Sequence, residues 1–268
     1  MKSTFKQSHI LVMALLFIAF NACSTSDSDD NDLVLTPINS VVVDGYTVKL
    51  SSEAELETGA NALYLELEKG GKSVDMKSVT MMPMMDMGTM MHSSPYENPV
   101  KFEENDKYFK GMAVFIMPGG EMGSWSINFT IVTESGETVE GSIAIDVASS
   151  WKLTSVKDSA GDSYFISWVE PSDPVVGSND LTFMVHKRVS MMSFPAFADA
   201  EVVIYPYMDM GGGQGHSTNF TAPTNKGNGV YSGDINYSMS GTWTTSVELV
   251  VANDTLPEVV FEYSVKAK

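Results

Sequence analysis

The sequence predicts an all-β protein made of two tandem β-sandwiches. Three observations predict it. Short runs rich in Val, Ile, Phe, Tyr and Thr recur between clusters of Gly, Pro, Asn and Asp. Many of these runs alternate apolar and polar residues in the strand period of two, while helical periodicity is scarce. The chain also repeats itself, at an offset of 123 residues for one motif and 118 for another.

The elements follow in chain order. Lys2 and Lys6 form a positive start, and Ile10 to Phe20 is an apolar run of eleven residues. That run is too short to span a bilayer and has the length of a signal-peptide core. Residues 1–22 therefore read as a leader. Phe20-Asn21-Ala22-Cys23 resembles a bacterial lipoprotein cleavage box. Cys23 is the single cysteine of the chain and has no internal disulfide partner. A lipidated first residue of the mature chain accounts for it. Residues 23–33 are polar and acidic, as a solvated tether requires. They resemble the acidic export signal of surface-exposed lipoproteins. The expected location is the outer membrane, facing the periplasm or the cell surface, with acyl chains on Cys23 as the membrane anchor.

Lys2 and Lys6 are the only charges of residues 1–22. Of 16 basic and 34 acidic residues, the remainder keeps 14 and 34, a formal charge of −20. Such a field repels phosphate backbones and excludes nucleic acid as a partner.

The first sandwich is expected over 34–148 and the second over 149–268, with Trp151 opening its first strand. In "SWSINFTIV" (124–132), Trp125, Ile127, Phe129 and Ile131 share one face and Ser126, Asn128 and Thr130 the other. This is a strand with one buried and one wet face. Pro83-Met84-Met85-Asp86-Met87-Gly88 is echoed by Pro206-Tyr207-Met208-Asp209-Met210-Gly211. His92 and His216 follow, then Pro95 and Pro223. A Met-containing turn before Trp125 and Trp243 closes each unit, with Met122 and Met239 as its methionines.

This order of parts resembles the YtkA-like domain family: a proline-led strand, a Met-x-Met-Gly turn, a histidine, a proline, then Met-x-Gly-x-Trp. The resemblance covers about 45 residues in each half. It implies two immunoglobulin-like sandwiches that are exported or membrane-anchored, some of whose relatives sit near copper-handling proteins.

Seven of the twelve residues from Met81 to His92 are methionine. Thioethers are soft, uncharged ligands that select Cu(I). On an extended segment Met85 and Met87 share a side, about 7 Å apart at Cα. Gly88 and Gly211 allow a sharp turn that returns a histidine toward the sulfurs. The expected sites are Met85, Met87 and His92 with Met122, and Met208, Met210 and His216 with Met239. Structural zinc wants Cys and His at tighter spacing.

Other readings stand beside this one. Methionine is an adaptable core filler. Met112 and Met117 in "GMAVFIM" read as core, and Met208-x-Met210 can plug the end of a sandwich. For Met84 to Met91 a core reading fits poorly, because Pro83 and Gly88 suggest a broken loop. Met191 and Met192 read as loop or interface packing. Met184 and His186 alternate away from the core, and His186, beside Lys187 and Arg188, reads as a surface residue. A Met-rich loop can instead dock an extracytoplasmic protein partner, or take up oxidant reversibly, with Met84 to Met91 modified first.

No enzymatic constellation emerges. The aspartates of 27–32 lack the glycine and terminal glutamate of an EF-hand loop. "GGGQGH" has no Walker lysine, and no Gly-x-Ser-x-Gly elbow occurs. Glu103 and Glu104 are adjacent and face opposite ways. Asp158-Ser159-Ala160 and Asp254-Thr255-Leu256 resemble a short O-glycosylation signal on Ser159 and Thr255.

Overall fold

Among the described residues, alternating side chains form twenty strands in four sheets. The computed structural model describes residues 33–252 and 254–268. The leader, Cys23 and nearly all of the tether lie outside the described residues. Residues Val34–Lys268 form one compact unit. The first ten strands are β1 (Thr36–Val43), β2 (Tyr46–Ser52), β3 (Gly59–Lys69), β4 (Lys72–Ser73), β5 (Met76–Asp86), β6 (Met91–Ser93), β7 (Tyr96–Lys101), β8 (Phe109–Phe115), β9 (Ser124–Thr133) and β10 (Thr138–Ile145). The next ten are β11 (Leu153–Lys157), β12 (Ser163–Glu170), β13 (Gly177–Lys187), β14 (Ala200–Gly211), β15 (Gln214–His216), β16 (Asn219–Gly227), β17 (Val230–Tyr237), β18 (Gly241–Val251), β19 (Asp254–Thr255) and β20 (Val259–Val265).

One sheet runs β1-β2-β3-β8-β7, with β4 beside β3, and faces β10-β9-β5-β6. The second pair is β11-β12-β13-β17-β16 against β15-β14-β18, where β20 also pairs with β18. Apart from the short strands β4 and β19, the two orders are the same strand for strand. All ladders between named strands are antiparallel, and each pair of sheets encloses its own apolar cluster. The fold is all-β and immunoglobulin-like. Trp151 precedes the first strand of the second pair, which begins at Leu153, and stacks instead on Trp168 and Tyr263.

The expected alternation holds in β9, where Trp125, Ile127, Phe129 and Ile131 are buried. In β5 it breaks, with Pro83, Met84 and Met85 buried in succession. Met76–Asp86 is a continuous strand rather than a broken loop, and Met81, Met84 and Met85 are buried in it. Pro83 does not interrupt the ladder for a clear reason. Its carbonyl accepts the Ser93 hydroxyl from the β6 side, and in an antiparallel strand N and O of one residue point the same way. The missing N–H therefore faces away from β9, where a proline costs no ladder bond.

Strands β12 and β13 are covered on both faces. In β12, Tyr164, Ile166 and Trp168 join the second core, while Ser163, Phe165 and Ser167 are buried on the outer face. In β13, Met184 and His186 lie on that outer face, as their alternation predicts. His186 is nevertheless buried, not exposed. The chain after Val189 folds back over it. Lys187 N–H donates to the Pro195 carbonyl at 3.0 Å, His186 pairs with Ala196, and Phe194 packs on Phe165. Burial pushes the His186 imidazole down from 6.5 to about 4, and its Nδ1 is buried with no hydrogen-bond partner.

Candidate metal centre

Two hairpins carry the histidines. In the first, Met85 pairs with His92 and Asp86 with Met91 across β5 and β6. Asp86 Oδ1 accepts the Gly88 N–H at 2.7 Å, and Gly88 sits at φ 78°, where glycine is favoured. The second hairpin repeats this on β14 and β15. Met208 pairs with His216, and Asp209 Oδ1 accepts the Gly211 N–H at 2.8 Å. The Asp-x-Gly spacing thus sets the turn, and the aspartates are exposed, away from the sulfurs.

Each imidazole is held in the same way. His92 Nδ1 lies 2.7 Å from the Ser93 carbonyl and His216 Nδ1 lies 2.9 Å from the Ser217 carbonyl. A carbonyl only accepts, so Nδ1 carries a proton, and in the neutral ring Nε2 then keeps the lone pair. This arrangement, a ring N–H given to a backbone carbonyl, is the one that orients metal-ligating histidines. The rings stand edge-on to tryptophans, His92 on Trp125 at 5.4 Å and His216 on Trp243 at 5.3 Å.

The tryptophans do a second job. Trp125 Nε1–H donates to the Met117 carbonyl at 3.0 Å, and Trp243 Nε1–H donates to the Met239 carbonyl at 3.1 Å. Met117, not Met122, therefore occupies in the first half the place that Met239 takes in the second. Met122 is 50% exposed. Met117 is only partly buried, and its sulfur lies 3.2 Å from His92 Nε2. In the neutral ring protonated at Nδ1, Nε2 is an acceptor, and the thioether sulfur is a second soft donor atom beside it. That contact suits a soft cation bound by both.

The proposed ligands are otherwise divided. Met85 is fully buried beside His92 in the core. Met87 is half-buried and, with His92 and Met117, lines a cavity of about 350 Å³. Met208 packs on the second core, His216 is half-buried, Met210 is 59% exposed and Met239 is 39% exposed. The second copy brings Met208 and His216 together by register and leaves Met210 at the tip. Met112, expected in the core, is half-buried on the outer face. Among the described residues, no group of three or more His, Cys, Asp or Glu is placed to hold a metal, so any site here rests on thioethers and imidazole. Ser159 and Thr255 are exposed.

The comparisons with known proteins follow this geometry. A family model described as YtkA-like matches residues 158–248. Residues 158–248 are thus similar to the YtkA-like family. This YtkA-like segment holds the Met208–His216 hairpin and Trp243. No curated protein matches the chain. Among solved structures, the Escherichia coli adhesin FdeC is 13% identical, with a TM-score of 0.27 over 87% of this chain and 65% of that one. The chain thus spans just under two thirds of that structure. Domains 5-6 of the S-layer protein SbsC are 11% identical, with a TM-score of 0.33 over 88% of this chain and 99% of that one. The FN1-FN3 domains of chicken CNTN1 are 12% identical, with a TM-score of 0.23 over 81% of this chain and 65% of that one.

Burial sets an order of oxidation that differs from uniform attack on Met84 to Met91. Mild peroxide is expected to convert Met90, Met91, Met122 and Met210, all about half exposed, well before Met84 and Met85 in the first sandwich. Peptide mass spectrometry over a time course reads this directly. Met85 sulfoxide appearing as early as Met90 sulfoxide would contradict the packing described.

Proposed function

We propose that the protein is a non-enzymatic extracytoplasmic lipoprotein, anchored in the outer membrane through Cys23 with its body facing the periplasm or cell surface. In this reading it binds copper as Cu(I) through its histidine–methionine hairpins, for sequestration or transfer, and the first sandwich is a second YtkA-like copy. One observation carries the reading. His92 Nε2 lies 3.2 Å from the Met117 thioether while the Ser93 carbonyl holds Nδ1–H, and His216 repeats the Nδ1 contact. Imidazole and thioether are neutral. In a partly buried site an uncompensated divalent charge costs far more than a monovalent one, which favours Cu(I) over Cu(II).

Titration of Cu(I) against a competing chelator tests this. His92→Ala is expected to weaken binding at the first site by at least about tenfold, the scale on which even supporting residues of metal sites act. Affinity unchanged in the His92→Ala/His216→Ala double variant would remove the reading.

A second reading rests on the exposed tips. Met90, Met91 and Met122 stand half exposed, and a flexible thioether surface suits docking of a protein partner. Met90→Ser, Met91→Ser and Met122→Ser together are expected to leave Cu(I) affinity intact. If they abolish capture of a partner that the metal-site variants retain, docking is the function of this end.

A further inference from the structure

The cavity beside His92 is not made by the first sandwich alone. Its walls include Met87, His92 and Met117 from the first pair of sheets and Phe165, Arg188 and Met191 from the second. Met191 is tied to the site by the backbone: its carbonyl accepts the N–H of Ser93, at 2.8 Å. Ser93 is the residue whose own carbonyl fixes the His92 tautomer. The Ser190–Ser193 segment is itself a tight turn, closed by Ser190 and Ser193. A thioether from the second sandwich thus lines the same cavity as the imidazole of the first.

We propose that the metal site of the first hairpin spans the two sandwiches, with His92 Nε2, Met117 Sδ and Met191 Sδ as its ligands and Met87 at the rim. The proposal rests on the soft-metal reading above and adds the third ligand and its origin. Three facts support it. Met191 remains 41% exposed although its backbone is pinned, so its side chain is free to swing. Met85, which pairs with His92, is sealed in the core and is not open to the cavity. Lys157 and Arg188 also stand in the wall, and Arg188 donates to Ser163 Oγ at 3.1 Å. Their charge penalises a divalent ion twice as much as a monovalent one. The expected ligand is therefore a soft monovalent ion, Cu(I) or its air-stable surrogate Ag(I). Binding across the junction also makes occupancy and the relative order of the two sandwiches interdependent.

The experiment is methyl NMR of methionine-labelled protein, residues 34–268, which form a compact unit, titrated with Ag(I). The expected result is that the Met117 and Met191 methyl signals shift together and saturate at one equivalent. Met191→Leu, a volume-conserving change at an exposed side chain, is expected to weaken this site at least about tenfold while leaving the Met208 response unchanged. Shifts at Met117 and Met87 with none at Met191 would overturn the spanning site and leave the soft-metal reading standing. No shift at any methionine near His92 or His216 would overturn both.

Discussion

Replacing Trp125 with alanine is expected to cost about 3–5 kcal/mol, the range for truncating a buried aromatic. Trp125 is 1% exposed, packs on Phe115 and sits in the first core. The loss reaches beyond packing. The indole N–H holds the Met117 carbonyl, and the ring edge supports His92. One side chain therefore sets both partners of the 3.2 Å imidazole–sulfur contact. Urea unfolding reads the stability, and Ag(I) titration reads the site. Trp125→Phe separates the two roles. It keeps an aromatic ring in the core but withdraws the donor from the Met117 carbonyl, at a cost of about 1–3 kcal/mol. This variant is expected to stay folded and to bind Ag(I) more weakly. Wild-type affinity in folded Trp125→Phe would show that Trp125 packs the core without positioning the site.

The second large effect is on pH dependence. His186 titrates at about 4 in the folded protein and at 6.5 in the open chain, because burial excludes the charged form. Between those values the unfolded chain binds a proton that the folded chain refuses. Stability is therefore full above about pH 6.5 and falls as the pH drops through the window toward 4. A gap of this size corresponds to about 3 kcal/mol. His186→Leu removes the titration and also the partnerless Nδ1, whose burial is unfavourable. The variant is expected to be the more stable protein at pH 4.5, with the difference shrinking as the pH rises. Parallel unfolding curves for the two proteins at pH 4.5 and 7.5 would refute the assignment.

Much of this architecture was legible in the residues. Period-two alternation named β9 before any coordinates, and the Pro-x-Met-Asp-Met-Gly echo located both hairpins, both histidines and both tryptophans. What escaped had physical causes. The density of methionine around Pro83 suggests a loop, yet that proline turns its missing donor away from β9, toward the β6 side. His186 sits beside Lys187 and Arg188, and local charge hid the fact that a later segment covers it. Met117 was hidden by spacing: it lies eight residues before its tryptophan, whereas Met239 lies four before its own. A loop-length difference inside a repeat defeats motif alignment, and only the shared indole acceptor reveals the match. Met191 reads as loop or interface packing, and it lies in the Ser190–Ser193 turn and lines the cavity beside His92.

The short connector carries a mechanical consequence. Ser150 and Thr58 clasp each other, with Ser150 N–H on Thr58 Oγ1 at 2.9 Å and Ser150 Oγ–H on the Thr58 carbonyl at 2.6 Å. Lys152 reaches back to Glu57 at 2.6 Å. The two halves are thus geared rather than hinged, so a residue added between Val147 and Lys152 would twist one half against the other. A residue added among Gly211 to Gly213, which stand in open space, would be absorbed without turning either.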